Sequence, residues 1–458
     1  MPRAPRKADS SAPLRQSAPP STATDVPRPH EAHNFFLMVV YQVVMRTGWI
    51  FKTESSIMPA VLDAISGAGW MRGFLPLLNR FGQSVPPLMA ARRVKVLRKK
   101  KHAFIATTTS MALIFAALTA IFVVPGFTRN PITPWLYLTL YALFFMAIGI
   151  NALAYNTLQG KLIGVTRRGR LLMIADTVGA TTAIVCAIAL LPLWLRETEA
   201  DFQYIFGFST ALFGLATITS WLLKEVPDDH QEPPRSLWTP FVTAWQTLKA
   251  DANFRRLGLV AALFSTSLVL FPHYQALARE KLGMGFDYLV WFVVAQNAGT
   301  AVFSLLTGPI ADRAGNRLSL RVLTLAICAA PQLALILVLF AARNPTDPWW
   351  QTFYRYSYYL VFALVGMTPV AQKTLNNYTL EIAEPRDQPK YLSTLSLCMA
   401  APIFASPLVG WLIDMVGFAA VYHGVTAVLL AGALLSATLT EPRHKAMATE
   451  VVAGDESL

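Results

Sequence analysis

Apolar runs recur along most of this 458-residue chain, and each is about as long as a helix that crosses a bilayer. A hydrocarbon core of about 30 Å needs roughly 20 helical residues, because each residue adds about 1.5 Å. We therefore predict an all-α membrane protein with twelve transmembrane helices. The runs of the first half occupy residues 35–58, 73–91, 103–126, 133–158, 171–195 and 203–223. Those of the second half occupy residues 255–275, 288–307, 322–342, 351–372, 391–413 and 418–439.

Composition supports a membrane protein and argues against several other classes. The chain is 54% hydrophobic and only 14% charged, whereas soluble domains have about 25% charged residues. The net charge of +13 does not predict nucleic-acid binding, because the basic residues concentrate in alternate short loops. The three cysteines lie in separate apolar runs, so we expect no disulfide framework and no metal site. We also expect no cofactor.

The distribution of basic residues predicts the orientation. If the N-terminus is cytoplasmic, Lys and Arg in the inward loops outnumber those in the outward loops by about four to one, as the positive-inside rule requires. We expect both termini in the cytoplasm and a cell membrane of the bacterial inner-membrane type. Residues 1–30 lack the apolar block of a signal peptide, so we expect the first run to remain as a span.

The chain divides into two halves around a polar connection. We predict a disordered cytoplasmic tail over residues 1–33, a first six-helix bundle over 34–223 and a cytoplasmic linker over 224–254. A second six-helix bundle over 255–440 and a cytoplasmic tail over 441–458 follow. Within the linker, apolar residues at helical spacing predict an amphipathic helix on the membrane surface. These residues are Leu237, Trp238, Phe241, Val242, Trp245 and Leu248.

Weak internal similarity suggests that the halves are distant copies. An offset of 217 residues places Gly149 on Gly366 and the pair 157–158 on 374–375. An offset of 221 places Pro87 to Arg92 on residues 308–313. Parallel repeats of this kind are typical of transporters built from two bundles.

Two motifs carry a family resemblance over about residues 34–440. The run Gly308-Pro-Ile-Ala-Asp-Arg-Ala-Gly-Asn-Arg317 lies between two spans, and Pro407-Leu-Val-Gly-Trp-Leu-Ile-Asp-Met-Val-Gly417 lies near the eleventh. Both resemble patterns of the major facilitator superfamily of secondary transporters. The resemblance implies a major facilitator fold with two six-helix bundles. It also implies a conformational latch at Gly308, Asp312, Arg313, Gly315 and Arg317.

The corresponding loop of the first half departs from the family pattern. Ala91 stands where the motif has Asp, and Pro87 stands where it has the leading Gly. If the Asp helps to latch the halves, Asp312 carries that role alone.

Ionisable residues within membrane spans are costly and mark candidate sites. Arg46 lies deep in the first span with Gln42 one turn before it, and Arg80 lies in the second span. Two cations facing one cavity would favour an anionic or carboxylate-bearing solute. The alternative is that each arginine pairs with a buried carboxylate or snorkels outward.

Other polar residues in the spans are weaker candidates for substrate binding. They are Asn151, Tyr155, Gln296 and Asn297, and they could equally serve as interhelical hydrogen-bond partners or interfacial aromatic residues. Glu54, near the outer end of the first span, is a candidate for proton coupling, with a solvated helix end as the alternative. For Asp176 we expect pairing with the basic loop before it.

These observations predict a secondary active transporter that moves a small solute by alternating access, as a symporter or antiporter coupled to protons. The sequence has no Walker A loop and therefore no visible ATP site. If protons do not supply the energy, the solute's own gradient is the alternative. The seven histidines are scattered, which argues against an enzyme. We expect a monomer whose partners are the solute, protons and the lipid bilayer, with no nucleic acid. The alternative function is a non-transporting sensor or scaffold with the same fold.

Overall fold

The structure is a computed structural model, and it describes residues 28–66, 68–228 and 238–440. The predictions for residues 1–27 and 441–458 of the two tails lie outside the described residues. Within the described ranges, regular structure is helical apart from one isolated bridge between Leu195 and Ala200.

The first half begins with a helix that breaks and resumes before it completes its span. Helices α1 and α2 are followed by a 3₁₀ turn at Gly69–Gly73 and then by five longer helices. Their bounds are α1 Glu31–Ile50, α2 Ile57–Ser66, α3 Phe74–Val96, α4 Lys101–Val123, α5 Thr133–Leu162, α6 Val165–Trp194 and α7 Phe202–Leu222.

The second half contains more interruptions, because several spans are built from two or three helices. Prolines begin some of the new pieces, such as Pro272 in α10 and Pro407 in α17; at a helix start the missing proline N–H costs nothing. The bounds are α8 Thr239–Ala250, α9 Ala252–Ser265, α10 Phe271–Leu282, α11 Tyr288–Ala326, α12 Ala329–Arg343, α13 Pro348–Ser357, α14 Tyr359–Val365, α15 Met367–Ile382, α16 Gln388–Ala400, α17 Ser406–Val416 and α18 Phe418–Ser436.

Eight helical stretches in the described ranges are long and apolar enough to cross a membrane. The longest, Tyr288–Arg343, covers two of the spans predicted from the sequence. The prediction of an all-α membrane protein is confirmed.

The segment around Gly315 differs from the loop that the sequence suggested over residues 308–317. Helix geometry continues through Asp312, is broken only at Gly315 (φ 86°, ψ 160°), and resumes at once. A positive φ is accessible to glycine without steric cost. The next two residues are tethered: the Asn316 amide donates to a Glu381 carboxylate oxygen at 2.9 Å, and Arg317 donates to the carbonyl oxygen of Leu439 at 3.2 Å.

Glycine contacts show that the two halves share one packing scheme. A Cβ added at Gly82 of α3 would lie 2.6 Å from the carbonyl carbon of Phe145 in α5. A Cβ at Gly299 of α11 would lie 2.7 Å from the carbonyl carbon of Ala363 in α14. Gly82 and Gly299 are separated by 217 residues, the offset that also relates Gly149 to Gly366.

The offset of 221 is not supported. With that offset, the break at Gly315 would correspond to Val94, but Val94 lies inside α3, which continues to Val96. With the offset of 217, the residue equivalent to Asp312 is Lys95 rather than Ala91. The first half therefore has a cation where the second half has the motif carboxylate.

Helix α8 lies in the predicted linker and exposes an apolar face. Trp238 at its N-cap, Phe241 and Trp245 are 73%, 42% and 61% exposed. The Lys249 ammonium lies 4.9 Å from the Trp245 ring centroid, as expected where a cation and an indole share an interface. Leu237 falls outside the described residues. The position of this helix on the membrane surface and the proposed domain boundaries stay predictions.

The first residues of the predicted linker are fixed to the helix ends of the first half that are predicted to be cytoplasmic. The buried Glu225 carboxylate accepts from the backbone N–H groups of Lys100 and Lys101 and pairs with Lys161 at 2.8 Å. Asp228 pairs with Lys100 at 2.5 Å, and this hydrogen bond lowers the pKa of Asp228. These contacts hold the start of α4 against the end of α7.

Candidate functional site

A cavity of about 760 Å³ lies between the two halves. Helices α1, α3, α5 and α6 line it from the first half, and α10, α11 and α15 line it from the second. The structure brings together in its wall every residue that the sequence nominated for binding or proton coupling. They are Gln42, Arg46, Glu54, Arg80, Asn151, Tyr155, Gln296 and Asn297. Their roles there stay predictions.

The cavity also has polar lining residues that the sequence reasoning missed. They are Asn79, Gln83, Asn156, Thr300, Ser304, Thr368, Gln372 and Lys373. The repeat could have found several of them. The offset of 217 relates three of them to nominated residues: Asn79 to Gln296, Thr368 to Asn151 and Gln372 to Tyr155.

Arg46 does not stand alone in the cavity. Its guanidinium contacts the Asp176 carboxylate at 2.9 Å, and the two side chains are 46% and 62% exposed. Gly179 permits this approach of α1 and α6, because a Cβ there would lie 3.1 Å from the Arg46 side chain. The expectation that Asp176 pairs with the basic loop before α6 is wrong. An ion pair across two helices takes its place.

Glu54 belongs to a second ion pair, whose cation is buried behind the cavity wall. The Lys52 side chain is fully buried, and its ammonium lies 2.8 Å from Glu54 and 3.1 Å from the Trp49 ring centroid. The Asn79 amide also donates to Glu54. The carboxylate and the ring compensate an ammonium that would otherwise be costly to bury.

Two cations of the cavity have no ion pair among the described residues. Arg80, half-buried on α3, is attracted electrostatically by Glu54 but does not contact it within ion-pair distance. Lys373 is exposed on α15, in the opposite half. The uncompensated positive charge therefore comes from both sides of the cavity.

Asn151 is largely occupied by structural hydrogen bonds. Its carbonyl oxygen accepts from Tyr41 at 2.8 Å, and its amide lies 2.9 Å from the hydroxyls of both Thr107 and Thr108. Tyr155 stacks on Tyr41 with ring centroids 5.8 Å apart. This cluster joins α1, α4 and α5, which is the interhelical alternative raised from the sequence.

Gln296 joins the two halves at the cavity. Its side-chain oxygen accepts from Ser55, which belongs to the break between α1 and α2. The Asn297 amide donates to the carbonyl oxygen of Val293 at 2.9 Å within its own helix. Both amides therefore line the cavity from positions that hydrogen bonds hold in place.

An ion cluster closes one end of the cavity. Arg72 contacts Asp63 at 2.5 Å within the first half and Glu280 at 2.6 Å in the second half. The Gln275 amide donates to the other oxygen of Asp63 at 2.8 Å. Asp63 and Glu280 are related by the offset of 217, so Arg72 bridges two equivalent carboxylates of the repeat.

Backbone contacts complete this closure. The Trp70 N–H donates to Asp414 at 2.7 Å, and the Phe286 N–H donates to the carbonyl oxygen of Glu197 at 3.2 Å. Glu197 and Asp414 are again 217 residues apart. The closed end is the one that the charge distribution predicts to be extracellular. We call this set of contacts the outer closure.

The fold and the shared cavity define a multi-pass membrane protein of the transporter class. Residues 258–454 match the sequence model of the Major Facilitator Superfamily. This match lies in the second half of the chain, and it confirms there the resemblance that the two motifs indicated. The predicted major facilitator fold is confirmed, while the division into two bundles of six spans at the stated boundaries stays a prediction.

Solved transporter structures share the fold at low sequence identity. A crystal structure of the nucleoside transporter NupG aligns with a TM-score of 0.62 at 11% identity, covering 88% of this chain and 98% of that one. A D-xylose-proton symporter aligns with a TM-score of 0.65 at 12% identity, covering 89% and 98%. A mutant form of the E. coli fucose:proton symporter FucP aligns with a TM-score of 0.55 at 12% identity, covering 90% and 100%. No curated protein matches the chain in sequence.

Proposed function

We propose that this protein is a secondary active transporter that carries a small solute across a cell membrane by alternating access. The observation that carries the proposal is a polar cavity shared by both halves and closed at one end by contacts between them. A site between two bundles becomes accessible to either side when the bundles rock about it. If both termini are cytoplasmic, as the charge distribution predicts, the contacts between the halves close this state to the outside.

Contacts of the outer closure would have to break when the cavity opens outward. Arg72 would keep Asp63 within its own half and release Glu280 of the other half. Equivalent contacts on the two sides of the repeat would open together, because rigid bundles move as units. The latch residues around Asp312 and Gly315 would act at the opposite end, where the turn between the two parts of α11 is tethered to Glu381 by Asn316.

The Lys52–Glu54 pair supports coupling to protons. Protonation of Glu54 would leave the buried Lys52 ammonium without its carboxylate, which is costly in a low-dielectric site. The segment between α1 and α2 would therefore rearrange when Glu54 binds a proton. Since the same segment carries Ser55, which donates to Gln296 of the other half, protonation would loosen a contact between the halves.

Transport assays with Glu54→Gln test this mechanism. In proteoliposomes, we expect the wild type to accumulate its solute when a pH gradient is imposed. Glu54→Gln should lose accumulation driven by the gradient but keep exchange of labelled for unlabelled solute, because exchange does not require net proton movement. Accumulation equal to that of the wild type would remove Glu54 from the coupling mechanism.

If the protein is a non-transporting sensor or scaffold, we expect a different result in the same assay. A sensor or scaffold would bind a solute without moving it in either direction, with or without a gradient. Absence of both uptake and exchange for a solute that binds the purified protein would therefore overturn the transporter proposal.

A further inference from the structure

We propose that the transported solute is a small organic anion that bridges Arg80 of the first half and Lys373 of the second. This inference rests on the proposed transport function and adds the chemical class of the solute. Both side chains line the same cavity. The pair differs from the two arginines considered from the sequence, because Arg46 is paired with Asp176.

The charges around the cavity favour an anion. The two carboxylates of the wall, Glu54 and Asp176, are each in contact with a cation of their own, Lys52 and Arg46. Within the described part of the chain, neither Arg80 nor Lys373 has a carboxylate in ion-pair contact. The cavity therefore presents an excess of positive charge to a solute.

Arg80 needs a counter-charge more than an exposed cation does. A guanidinium keeps its proton under all ordinary conditions, so partial burial cannot be relieved by neutralisation. Its five donors suit a carboxylate or a phosphate group, which can accept two parallel hydrogen bonds. Neighbouring amides of Asn79, Gln83 and Gln296 also line the wall and could hydrogen-bond the rest of a polar anion.

The repeat shows that the fold itself does not require these two charges. With the offset of 217, Arg80 corresponds to Asn297, and Lys373 corresponds to Asn156. Both asparagines also line the cavity. At each pair of equivalent positions, one half has a neutral amide and the other half has a cation. The shared architecture therefore does not require a cation at either position.

The placement of the cations in opposite halves links binding to movement. An anion in contact with Arg80 and Lys373 would attract both bundles toward itself and reduce their mutual repulsion. An empty cavity would leave the two positive charges facing each other. The solute would then bind most tightly to the conformations in which the halves lie closest around the site. A ligand shifts a conformational equilibrium only through such a difference in affinity.

Thermal unfolding of the purified full-length protein tests the inference, because a ligand that binds the folded state stabilises it in proportion to occupancy. The anionic probes are benzoate, succinate and inorganic phosphate, and the neutral and cationic probes are glucose and choline. The variants are Arg80→Asn and Lys373→Asn, which copy the equivalent residues of the repeat. Arg129→Asn, in the turn between α4 and α5, is the matched control outside the cavity.

We expect at least one anionic probe to stabilise the wild type saturably, whereas glucose and choline do not. Each cavity variant should raise the half-saturating concentration by at least about tenfold, the cost of losing one charge-assisted contact. Arg129→Asn should leave it unchanged. Stronger responses to benzoate and succinate would identify a carboxylate, and a stronger response to phosphate would identify a phosphorylated solute.

The inference is overturned if no anionic probe stabilises the wild type. It is also overturned if glucose or choline does so instead, or if anions stabilise both cavity variants as well as the wild type. Should Arg80→Asn fail to fold, Lys373→Asn decides the question alone, since Lys373 is exposed and its loss removes no packing. Binding of anions without any flux would refute the transport proposal and leave the anion site standing.

Discussion

Arg46 and Arg72 show how differently two arginines of one membrane protein can be held. Arg46 contacts Asp176 in the cavity, where both side chains remain about half exposed. Arg72 is only 8% exposed and contacts two carboxylates. Water weakens the first pair, since exposed ion pairs contribute about 0–1 kcal/mol, whereas separation of a buried pair leaves a charge without compensation. Arg46 therefore belongs to a weak, exposed ion pair, whereas Arg72 belongs to a buried cluster that joins the two halves.

For Arg46→Gln, we expect normal accumulation in the membrane, because the stranded Asp176 carboxylate can be hydrated. Loss of the pair should cost less than about 1 kcal/mol of stability. Solute transport should fall, since an unpaired carboxylate would then face an anionic solute. Quantification of membrane-inserted protein, followed by flux measurements, checks both points.

Asp176→Asn is the matched variant for the same pair. It should accumulate equally well and bind anions at least as tightly as the wild type, because it frees a cation instead of a carboxylate. Failure of Arg46→Gln to accumulate would show that the pair is structural in spite of its exposure.

At the level of helices, breaks and close contacts determine what the long spans can do. The break between α1 and α2 presents Glu54 and Ser55 to the cavity. The break at Gly315 turns the chain back on itself, since the Ser319 hydroxyl lies 3.4 Å from the carbonyl oxygen of Thr307. Twelve residues of straight helix would instead separate these two positions by about 18 Å.

Gly315→Ala should destabilise the protein by about 1–2 kcal/mol, because an L-residue is strained at a φ of 86°. Gly308→Ala is the matched control earlier in the same helix. A Cβ at Gly308 meets nothing within 4 Å, so alanine there should be neutral or slightly stabilising. Thermal unfolding of both variants in one detergent gives the comparison, and equal effects would contradict the role assigned to the turn.

Arg72→Gln should open the outer closure. Without the guanidinium, Asp63 and Glu280 lose the cation that they share, and removal of one partner from a buried cluster costs about 3–5 kcal/mol. Much of that loss should appear as a shift toward outward-facing states, because Glu280 belongs to the other half.

Thr300→Cys, in the cavity wall, provides the readout in a background that lacks the three native cysteines. Labelling by an impermeant reagent from outside should increase when Arg72→Gln is added. Glu280→Gln should have a smaller effect in the same direction, since the Arg72–Asp63 contact would persist within the first half. Unchanged labelling in both backgrounds would show that the cluster does not control access.

In the whole molecule, the outer closure lies at the end that the charge distribution predicts to be extracellular, and its residues follow the repeat. The contacts that join the halves at the outer closure occur at positions related by one offset. A pseudo-symmetric closure can be broken on both sides by a single relative rotation of the bundles. The cavity lies between those contacts and the end predicted to be cytoplasmic.

The predicted orientation is tested by cysteine labelling of intact cells. Residues 92–102 and 224–254 should be protected from an impermeant reagent, while residues 55–70 and 276–287 face outward. Lys99→Cys should stay unlabelled from outside, and Arg129→Cys should be labelled. Labelling at position 99 would refute both the twelve-span topology and the assignment of the closed end to the outside.

Local properties of the sequence were sufficient to predict the class of this protein and some of the residues that line its cavity. Apolar length and loop charge act on each span separately, so spans and an orientation can be predicted without knowledge of packing. The cost of burying polar groups is also local. It explains why residues such as Gln42, Arg80 and Gln296, nominated one by one, line the same cavity.

Only the tertiary structure decided which charges compensate one another. Arg46 and Asp176 are 130 residues apart and Arg72 and Glu280 are 208 apart in the chain, and no spacing rule relates residues at such distances. Nothing local in the sequence pairs Asp176 with Arg46 or decides whether Arg46 binds a solute or a carboxylate. Nothing local points to the Arg72 cluster or to Lys373. The physical reason is that an ion pair depends on which helices pack together, and packing is a property of the assembled bundles.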